Sequence, residues 1–200
     1  MDFASFFNSL GVEVTVTEML DEILGGMDKE LSAMLRAEYA KRGIKFMLNT
    51  KVVSLDGSTG ENGETQVRVN YENAEGTGFS VAEKLLMSVG RHPVTKGFGL
   101  ENLNPEKTER GNIRVDGQMR TSVTGVYACG DLTGFSLLAH TAVREAEVAV
   151  HAVLGKKDCM SYRAIPGVVY TNPEIAGVGD TEEALQKKGI PYRTVKLPMA

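Results

Sequence analysis

Acidic side chains at the ends of short apolar runs have the clearest chemical potential in this sequence. Glu18 ends the run Val12–Glu18 (VEVTVTE), which follows a helix-like stretch over residues 1–11. In a dinucleotide-binding unit, an acid at the end of the second strand accepts hydrogen bonds from the adenosine ribose. The carboxylate also repels a 2′-phosphate, which favours NAD over NADP. By its spacing alone, Glu18 fits better an acid at the end of a strand that simply faces water.

A second acid follows another apolar run. Gly130 and Asp131 come directly after Val126–Cys129 (VYAC), which predicts a short buried strand. Ligands of open α/β sheets bind beyond the carboxyl ends of the strands. An Asp at that position can accept a hydrogen bond from a sugar or polyol hydroxyl, and Gly lets the ligand come close. The alternative is that Asp131 only begins a turn.

A helix is predicted from about residue 137 to 154, where Gly155 follows. Its first amide groups, near Leu137–His140, could face an anionic or carbonyl oxygen of a ligand. His140 and His92 are candidate acid–base residues, but for neither does the sequence indicate a second residue at helical spacing that would make a catalytic dyad, so we expect surface or cofactor-flanking roles. Glu145 and Glu147 are predicted to be solvated charges on this helix.

The composition indicates an α/β globular protein. The chain has 200 residues, of which 42% are hydrophobic and 24% charged, with a formal net charge of −4. The basic residues are dispersed, which argues against nucleic acid. No apolar run approaches the ~18 residues of a membrane helix, and the N-terminus, with Asp2 and no basic residues, does not resemble a signal peptide.

The two cysteines lie far apart in the sequence. Cys129 and Cys159 form neither a CxxC motif nor a metal cluster. A reducing, cytoplasmic setting is the simplest interpretation. Cys129 is expected to pack as a small buried residue in its strand, and Cys159 to be partly exposed without a redox role.

Periodicity predicts the elements that position these residues. Phe3, Phe6, Phe7 and Leu10 recur at helical spacing before Gly11, which indicates the last turns of a helix. Asp28 can cap a helix over roughly 29–42 that ends at Gly43. Its inward face is predicted to contain Leu31, Met34, Leu35 and Tyr39. Residues 44–55 predict one or two further strands, and the resulting βαβ unit favours a parallel sheet.

The rest of the chain predicts strands with turn-rich connections. Residues 56–65 (DGSTGENGET) form a hairpin connection, and the strand at 66–71 pairs with 78–81. Lys84–Val89 (KLLMSV) is a nearly continuous apolar run and predicts a buried strand that stops at Gly90. Further strands at 165–170 and 174–178 precede a helix over 181–188 that Thr181 caps.

Three runs together resemble one family. TGVYACGDLTGFSLLAHTAVREA, SVGRHPVT and VVYTNPEIAGVGDTEEAL are similar to the dihydrolipoamide dehydrogenases and their relatives among the pyridine-nucleotide disulfide oxidoreductases. The resemblance covers essentially the whole chain. It implies a partial Rossmann-type NAD domain over 1–90, with a parallel sheet and a β-meander. It further implies the returning half of an FAD domain over 91–162 and the start of an α+β dimerisation domain over 163–200.

The resemblance also assigns cofactor contacts. It matches Glu18 to the acid on the NAD ribose, Val52 to a residue beside the adenine, and Gly90 to one beside the nicotinamide nucleotide. Asp131 matches the residue that binds the flavin ribityl chain. The segment that approaches the flavin ring through backbone amides matches Leu137, Leu138, Ala139 and His140. The family assignment depends on one structural expectation: Asp131 should lie at the C-terminal edge of a parallel sheet, and the assignment would fall if it lay elsewhere.

Several family features are absent from the sequence. These are the redox-active CxxxxC pair, the glycine-rich fingerprints and the C-terminal His–Glu pair. We therefore expect a piece of an enzyme that lacks both ends and has no catalytic residues of its own. The parent would be a homodimer that oxidises dihydrolipoamide on a lipoyl-bearing protein of a 2-oxo acid dehydrogenase or glycine cleavage complex, through FAD to NAD. The alternatives are a mercuric or glutathione-type reductase relative, or a non-catalytic self-associating module.

Overall fold

The computed structural model describes residues 1–60 and 63–198 and contains two compact units. Unit 1 comprises Met1–Met87 together with the segment from Pro166 onward, and unit 2 comprises Ser88–Ile165. The chain thus enters unit 1 twice.

Unit 1 begins with the predicted βαβ arrangement. Strands β1 and β2 pair in parallel, with Thr15 opposite Lys45, and helix α2 connects them. This confirms the predicted parallel pairing, although β1 is shorter than the predicted run. The elements are helix α1 (Asp2–Ser9), strand β1 (Thr15–Thr17), helix α2 (Lys29–Lys41) and strand β2 (Lys45–Met47).

Helix α2 forms where its local signals predict. The Asp28 carboxylate accepts hydrogen bonds from the amides of Glu30 and Leu31, which satisfies donors that the helix leaves free. One part of the predicted inward face is wrong. Met34 is 63% exposed, and Leu31 is also exposed, because the buried stripe of α2 is narrower than the apolar pattern.

The core of unit 1 forms around Tyr39. Its ring is fully buried beside Ile23, Leu35 and Ile44. The Tyr39 hydroxyl lies 2.5 Å from the Ser5 hydroxyl and accepts a hydrogen bond from the Asn172 amide at 2.9 Å. The polar end of this large side chain is therefore satisfied inside the core.

A three-stranded antiparallel meander follows in the order β3-β4-β5. The predicted pairing of residues 66–71 with 78–81 is confirmed. The predicted hairpin connection is shorter than expected because residues 56–59 are still paired in β3; Glu61 and Asn62 lie outside the described residues. The strands are β3 (Lys51–Thr59), β4 (Thr65–Asn73) and β5 (Gly76–Ala82).

The second segment of unit 1 contributes a short antiparallel pair and a helix. Thr181 caps the helix by accepting from the Ala184 amide, as the sequence predicts. Gly189 ends it with φ +67°, a conformation that glycine adopts without strain. The elements are β6 (Gly167–Val169), β7 (Ile175–Gly177) and α4 (Glu182–Lys188).

Unit 2 is built around one long helix, α3 (Ala139–Val153), with irregular segments packed on it. Two single 3₁₀ turns span Leu100–Asn102 and Gly130–Leu132. The buried apolar residues of this unit are Ile113, Met119, Val148 and Ala152.

Two predicted strands are wrong. Lys84–Val89 is exposed and irregular, with Val89 88% exposed. Val126–Cys129 forms only one isolated bridge, between Tyr127 and Arg120, and Cys129 is exposed. An apolar run becomes a buried strand only where another strand pairs with it and a layer covers it, and in the described part of the chain neither run has such a partner.

Helix α1 confirms the helix that the spacing of its apolar residues predicted, but several of these residues are exposed. Phe3, Phe6 and Leu10 are all more than half exposed. Within the described residues, no helix combines the length and apolar character needed to cross a bilayer.

Candidate functional site

Unit 2 contains a cleft of about 540 Å³ beside the start of α3. This volume is within the range of small-molecule sites. Its wall contains the carboxylate of Asp131, the guanidinium of Arg91 and the amide of Asn112 beside apolar side chains. This combination suits a ligand that has both a flat ring and hydroxyl groups. The lining residues are Arg91, His92, Pro93, Val94, Phe98, Asn112, Asp131, Leu132 and Leu137.

Asp131 lies in the cleft wall at the centre of the Gly130–Leu132 turn. Its Oδ2 atom is 3.5 Å from a guanidinium nitrogen of Arg91, and both side chains are more than half exposed. The Asn112 side-chain amide donates to the Asp131 carbonyl oxygen at 3.4 Å. An accessible carboxylate, a cation and an amide thus lie together at one place.

Glycine is required just before this acid. Gly130 has φ +74°, and a Cβ atom added there would lie 3.3 Å from the Ala142 side chain. The turn therefore packs closely on α3.

The expected position of Asp131 at the C-terminal edge of a parallel sheet is wrong. It follows an irregular segment, and the parallel pair β1–β2 belongs to unit 1. The acid still reaches a cleft because the turn, and not a strand end, presents it. The dependence of the family assignment on this position is therefore wrong as well, and the family has to be decided by comparison with known proteins. The predicted role of Asp131 is supported by its place in the cleft.

The predicted flavin-ring segment lies at the N-terminus of α3. Leu138 is the N-cap residue and supplies no side-chain capping bond, and Ala139 and His140 form the first turn. Of this segment, Leu137 lines the cleft. A helix N-terminus with no side-chain acceptor from its own cap can donate to a ligand oxygen.

Sequence reasoning missed Glu145. It was predicted as a solvated charge, but it is fully buried, whereas Glu147 is exposed as predicted. The helical stripe contains the signal: Glu145 shares the spacing of buried Thr141, Val148 and Ala152. Its carboxylate accepts from the Gly130 amide at 2.5 Å and from the Tyr162 hydroxyl at 2.6 Å.

The prediction that Cys129 is buried in a strand is also wrong. The residue is exposed, yet desolvation of its thiol and the charge of Glu145 raise its pKa. A raised thiol pKa leaves less thiolate at neutral pH. This agrees with the prediction that Cys129 is not a reactive thiol.

Unit 1 contains the other predicted contacts. Glu18 directly follows β1, and its Oε1 atom accepts from the Leu20 amide at 2.9 Å. The Thr50 amide donates to the Glu18 carbonyl oxygen at 3.0 Å, which holds the start of β3 beside this acid. Val52, in β3, is 42% exposed. Glu18 thus lies beyond the carboxyl end of the parallel strand β1, and Val52 lies in strand β3, whose start is hydrogen-bonded to Glu18 through Thr50.

Gly90 belongs to unit 2, is exposed and has φ +123°. It does not end a strand, contrary to the sequence prediction. Its expected contact with a nicotinamide nucleotide stays a prediction. Among the described residues, no group of His, Cys, Asp and Glu side chains could hold a metal ion.

The chain belongs to the pyridine nucleotide-disulphide oxidoreductases. The sequence model of this family matches residues 1–146, and a model of the dimerisation domain of the same family matches residues 165–200.

Among curated proteins, the chain is similar to dihydrolipoyl dehydrogenase 1, mitochondrial, of Arabidopsis thaliana. The identity is 40% over 200 residues, which covers 99% of this chain and 38% of the relative. Among solved structures, LpdA from Mycobacterium tuberculosis has a TM-score of 0.83 at 30% identity, covering 98% of this chain and 41% of that one. The HOCl-induced flavoprotein disulfide reductase RclA from Escherichia coli has a TM-score of 0.76 at 27% identity, covering 94% and 41%. The chain thus spans about two fifths of the length of these relatives.

The residues of the cleft fit part of a flavin nucleotide. Asp131 and Asn112 offer an acceptor and a donor to a polyol, and Phe98, Val94 and Leu137 offer apolar surface. A pocket of apolar surface with a few polar groups is the usual lining of a cofactor site, and it would contact both the ring and the hydroxylated chain of a flavin.

Proposed function

We propose that this chain is part of a dihydrolipoyl dehydrogenase, which oxidises protein-bound dihydrolipoamide to lipoamide and reduces NAD to NADH. The observation that carries the proposal is the 40% identity to such an enzyme over 99% of the chain. FAD, when bound, would supply the two-electron exchange between the dithiol and the nicotinamide. The residues of this chain would bind and orient the two cofactors.

Asp131 would hold the hydroxylated chain of FAD. Its carboxylate is accessible in the cleft, and both of its oxygens can accept hydrogen bonds from ligand hydroxyls. Arg91 lies 3.5 Å from this carboxylate and would be a second polar contact for the same ligand. The amide groups at the start of α3, from Leu138 to His140, would donate to an electron-rich oxygen of the ring system.

Glu18 would hold the adenosine ribose of NAD. It lies beyond the carboxyl end of β1, where parallel sheets bind nucleotides. Val52 would supply apolar surface beside the adenine, and Gly90 would lie near the nicotinamide nucleotide. A carboxylate at Glu18 would disfavour the extra phosphate of NADP.

The proposed partners follow from the same assignment. The substrate would be the lipoyl group of a 2-oxo acid dehydrogenase or glycine cleavage complex. The match of residues 165–200 to a dimerisation domain supports a homodimer of the parent enzyme.

Flavin binding tests the first contact. Purified chain is titrated with FAD, and quenching of flavin fluorescence is followed. We expect Asp131→Asn to weaken binding about tenfold, as loss of a charge-assisted hydrogen bond does, and Glu109→Gln, outside the cleft lining, to leave it unchanged. Equal affinities of wild type and Asp131→Asn would contradict the assigned role.

Nucleotide selection tests the second contact. The wild-type chain is expected to bind NADH more tightly than NADPH, and Glu18→Gln to reduce that preference about tenfold. Glu13→Gln is the matched control because Glu13 is an exposed acid just before the same strand. Unchanged selectivity in Glu18→Gln would remove Glu18 from the ribose site.

A turnover assay tests whether this chain catalyses the reaction alone or only binds the cofactors. NADH formation from dihydrolipoamide is measured with the purified chain and added FAD. Because the sequence has no CxxxxC pair, we expect no rate above background. Measurable turnover would contradict the assignment of this chain as a cofactor-binding part alone.

A further inference from the structure

Glu145 is a carboxylate that the cleft does not use directly, and it is fully buried in α3. A buried carboxylate is costly unless donors surround it. Here three groups donate to it: the Gly130 amide at 2.5 Å, the Tyr162 hydroxyl at 2.6 Å and the Thr133 hydroxyl at 3.3 Å. All three partners donate to the carboxylate oxygens of Glu145, so its buried acceptor atoms are satisfied.

Two of these donors lie on either side of Asp131. Gly130 precedes it, and Thr133 ends the same turn, where its hydroxyl also donates to the Gly130 carbonyl at 3.0 Å. Gly130 additionally packs against Ala142, one helical turn before Glu145. The turn that presents Asp131 to the cleft is therefore fixed to α3 from both ends.

The third donor links Glu145 to the segment that follows the Gly130–Leu132 turn in the sequence. The Tyr162 ring stacks on Phe135, with centroids 4.8 Å apart. Phe135 lies between the Gly130–Leu132 turn and Leu137, which lines the cleft. Burial, together with the hydrogen bond to Glu145 and its charge, raises the pKa of Tyr162, so its hydroxyl stays a donor at neutral pH.

We propose that Glu145 is a positioning residue that holds the Gly130–Leu132 turn so that Asp131 faces the polyol of a flavin nucleotide. The inference rests on the proposed function, since it assigns that ligand to Asp131. Glu145 does not line the cleft and acts through the Gly130 amide. Nothing in its position requires contact with the ligand.

The first test observes the hydrogen bond without any ligand. A short bond to a carboxylate moves an amide proton far downfield, so the Gly130 resonance of the full chain should lie downfield of the other glycines. Glu145→Gln, which keeps the shape and removes the charge, should move it upfield. Glu147→Gln, an exposed acid on the same helix, should not. An unmoved Gly130 resonance in Glu145→Gln overturns the inference.

The second test uses FAD and a double-mutant cycle. Glu145→Gln should weaken FAD binding about tenfold, and the effect should vanish in the Asp131→Asn background, because both changes remove the same contact. A helix that is merely destabilised would give additive losses, and additivity overturns the inference. If Glu145→Gln does not fold, Tyr162→Phe replaces it in the same cycle, with a smaller loss and the same expected non-additivity.

The two proposals fail separately. A wild-type chain that does not bind FAD overturns the cofactor assignment, and the Gly130 resonance then decides alone whether Glu145 holds the turn. FAD binding with an additive cycle retains the cofactor assignment and removes Glu145 from it.

Discussion

At the scale of single residues, burial of Glu145 changes the chemistry of its surroundings. Its carboxylate contributes to the raised pKa of both Tyr162 and the Cys129 thiol, in each case after desolvation. One side chain on α3 thus orders a turn and also suppresses ionisation of two neighbours.

The pH dependence of Cys129 alkylation can measure the effect of the Glu145 charge on the thiol pKa. In a Cys159→Ser background, alkylation of Cys129 should show a pH midpoint above the ~8.5 of a free thiol, because a raised pKa delays formation of the reactive thiolate. Adding Glu145→Gln should lower the midpoint, since it removes one of the two causes, and Glu147→Gln should not. Rates of iodoacetamide modification, measured by mass spectrometry, check this; a wild-type midpoint at or below that of N-acetylcysteine would contradict it.

Residue types alone did not reveal Glu145 because charge suggested exposure. Asp131, in contrast, could be singled out from the Gly–Asp pair after an apolar run, and it does line a cleft. The sequence did not indicate that a 3₁₀ turn, and not the end of a strand, places Asp131 in the cleft. The turn depends on a bond from Gly130 to a residue on another element, and no local pattern encodes such a bond.

At the scale of elements, the best predictions were those with local causes. Helices α2 and α4 begin where Asp28 and Thr181 can cap them. The β4–β5 hairpin also forms from neighbouring residues. The strands predicted at Lys84–Val89 and Val126–Cys129 failed because pairing depends on distant parts of a chain, which an apolar run cannot specify.

The cap of α2 can be tested directly. Asp28→Ala removes the acceptor for the Glu30 and Leu31 amides, which lie 3.0 and 3.2 Å from Asp28 Oδ1. We expect the free energy of unfolding of unit 1 to fall by about 1 kcal/mol. Asp21→Asn, which breaks only an exposed ion pair with Lys29, should change it by less than about 0.5 kcal/mol. Urea denaturation followed by circular dichroism measures both, and equal effects would argue against the cap.

Asp158 joins helix α3 to the segment that follows it, through Arg144 and His151 of the helix. Arg144 donates to both carboxylate oxygens, at 2.6 and 2.9 Å, and His151 Nδ1 lies 2.7 Å from one of them. These hydrogen bonds, that of Arg144 first, hold the pKa of Asp158 well below its usual range.

The pH dependence of stability follows from the sign of that shift. A carboxyl with a lowered pKa in the folded state stabilises above its unfolded pKa, about 3.9, and loses this contribution as pH falls toward the folded value. Asp158→Asn should therefore lower the melting temperature of unit 2 near pH 7, and the difference from wild type should shrink below about pH 4. Glu147→Gln, which breaks only an exposed pair with the same Arg144, should have little effect at any pH. A constant difference across the range would contradict the assigned cause.

At the scale of the whole molecule, the segment that connects unit 1 to unit 2 is exposed and has no regular secondary structure. The boundary after Met87 falls in the exposed, irregular segment Lys84–Val89. A segment without paired backbone can enter a protease cleft, whereas a strand held on both sides cannot.

Limited proteolysis tests this difference. Trypsin should cut after Lys84 or Arg91 before it cuts after Arg68. The Arg68 side chain is exposed too, but its backbone lies between Asp56 of β3 and Val81 of β5. We expect at least about tenfold faster cleavage at the open positions, measured by mass spectrometry over time. A first cut after Arg68 would show that the meander opens more easily than the connection.

The hydrogen bond from the Asn172 amide to Tyr39 joins residues 133 positions apart. During synthesis, residues 88–165 leave the ribosome before the partner that completes the polar end of the Tyr39 side chain. Until then the Tyr39 hydroxyl has the Ser5 hydroxyl as a partner but lacks the hydrogen bond from the Asn172 amide. The core around Tyr39 also lacks Ile175, which packs against it in the finished unit. Unit 2 is contiguous and can fold first, so residues 1–87 are made before unit 2 but reach their final environment after it.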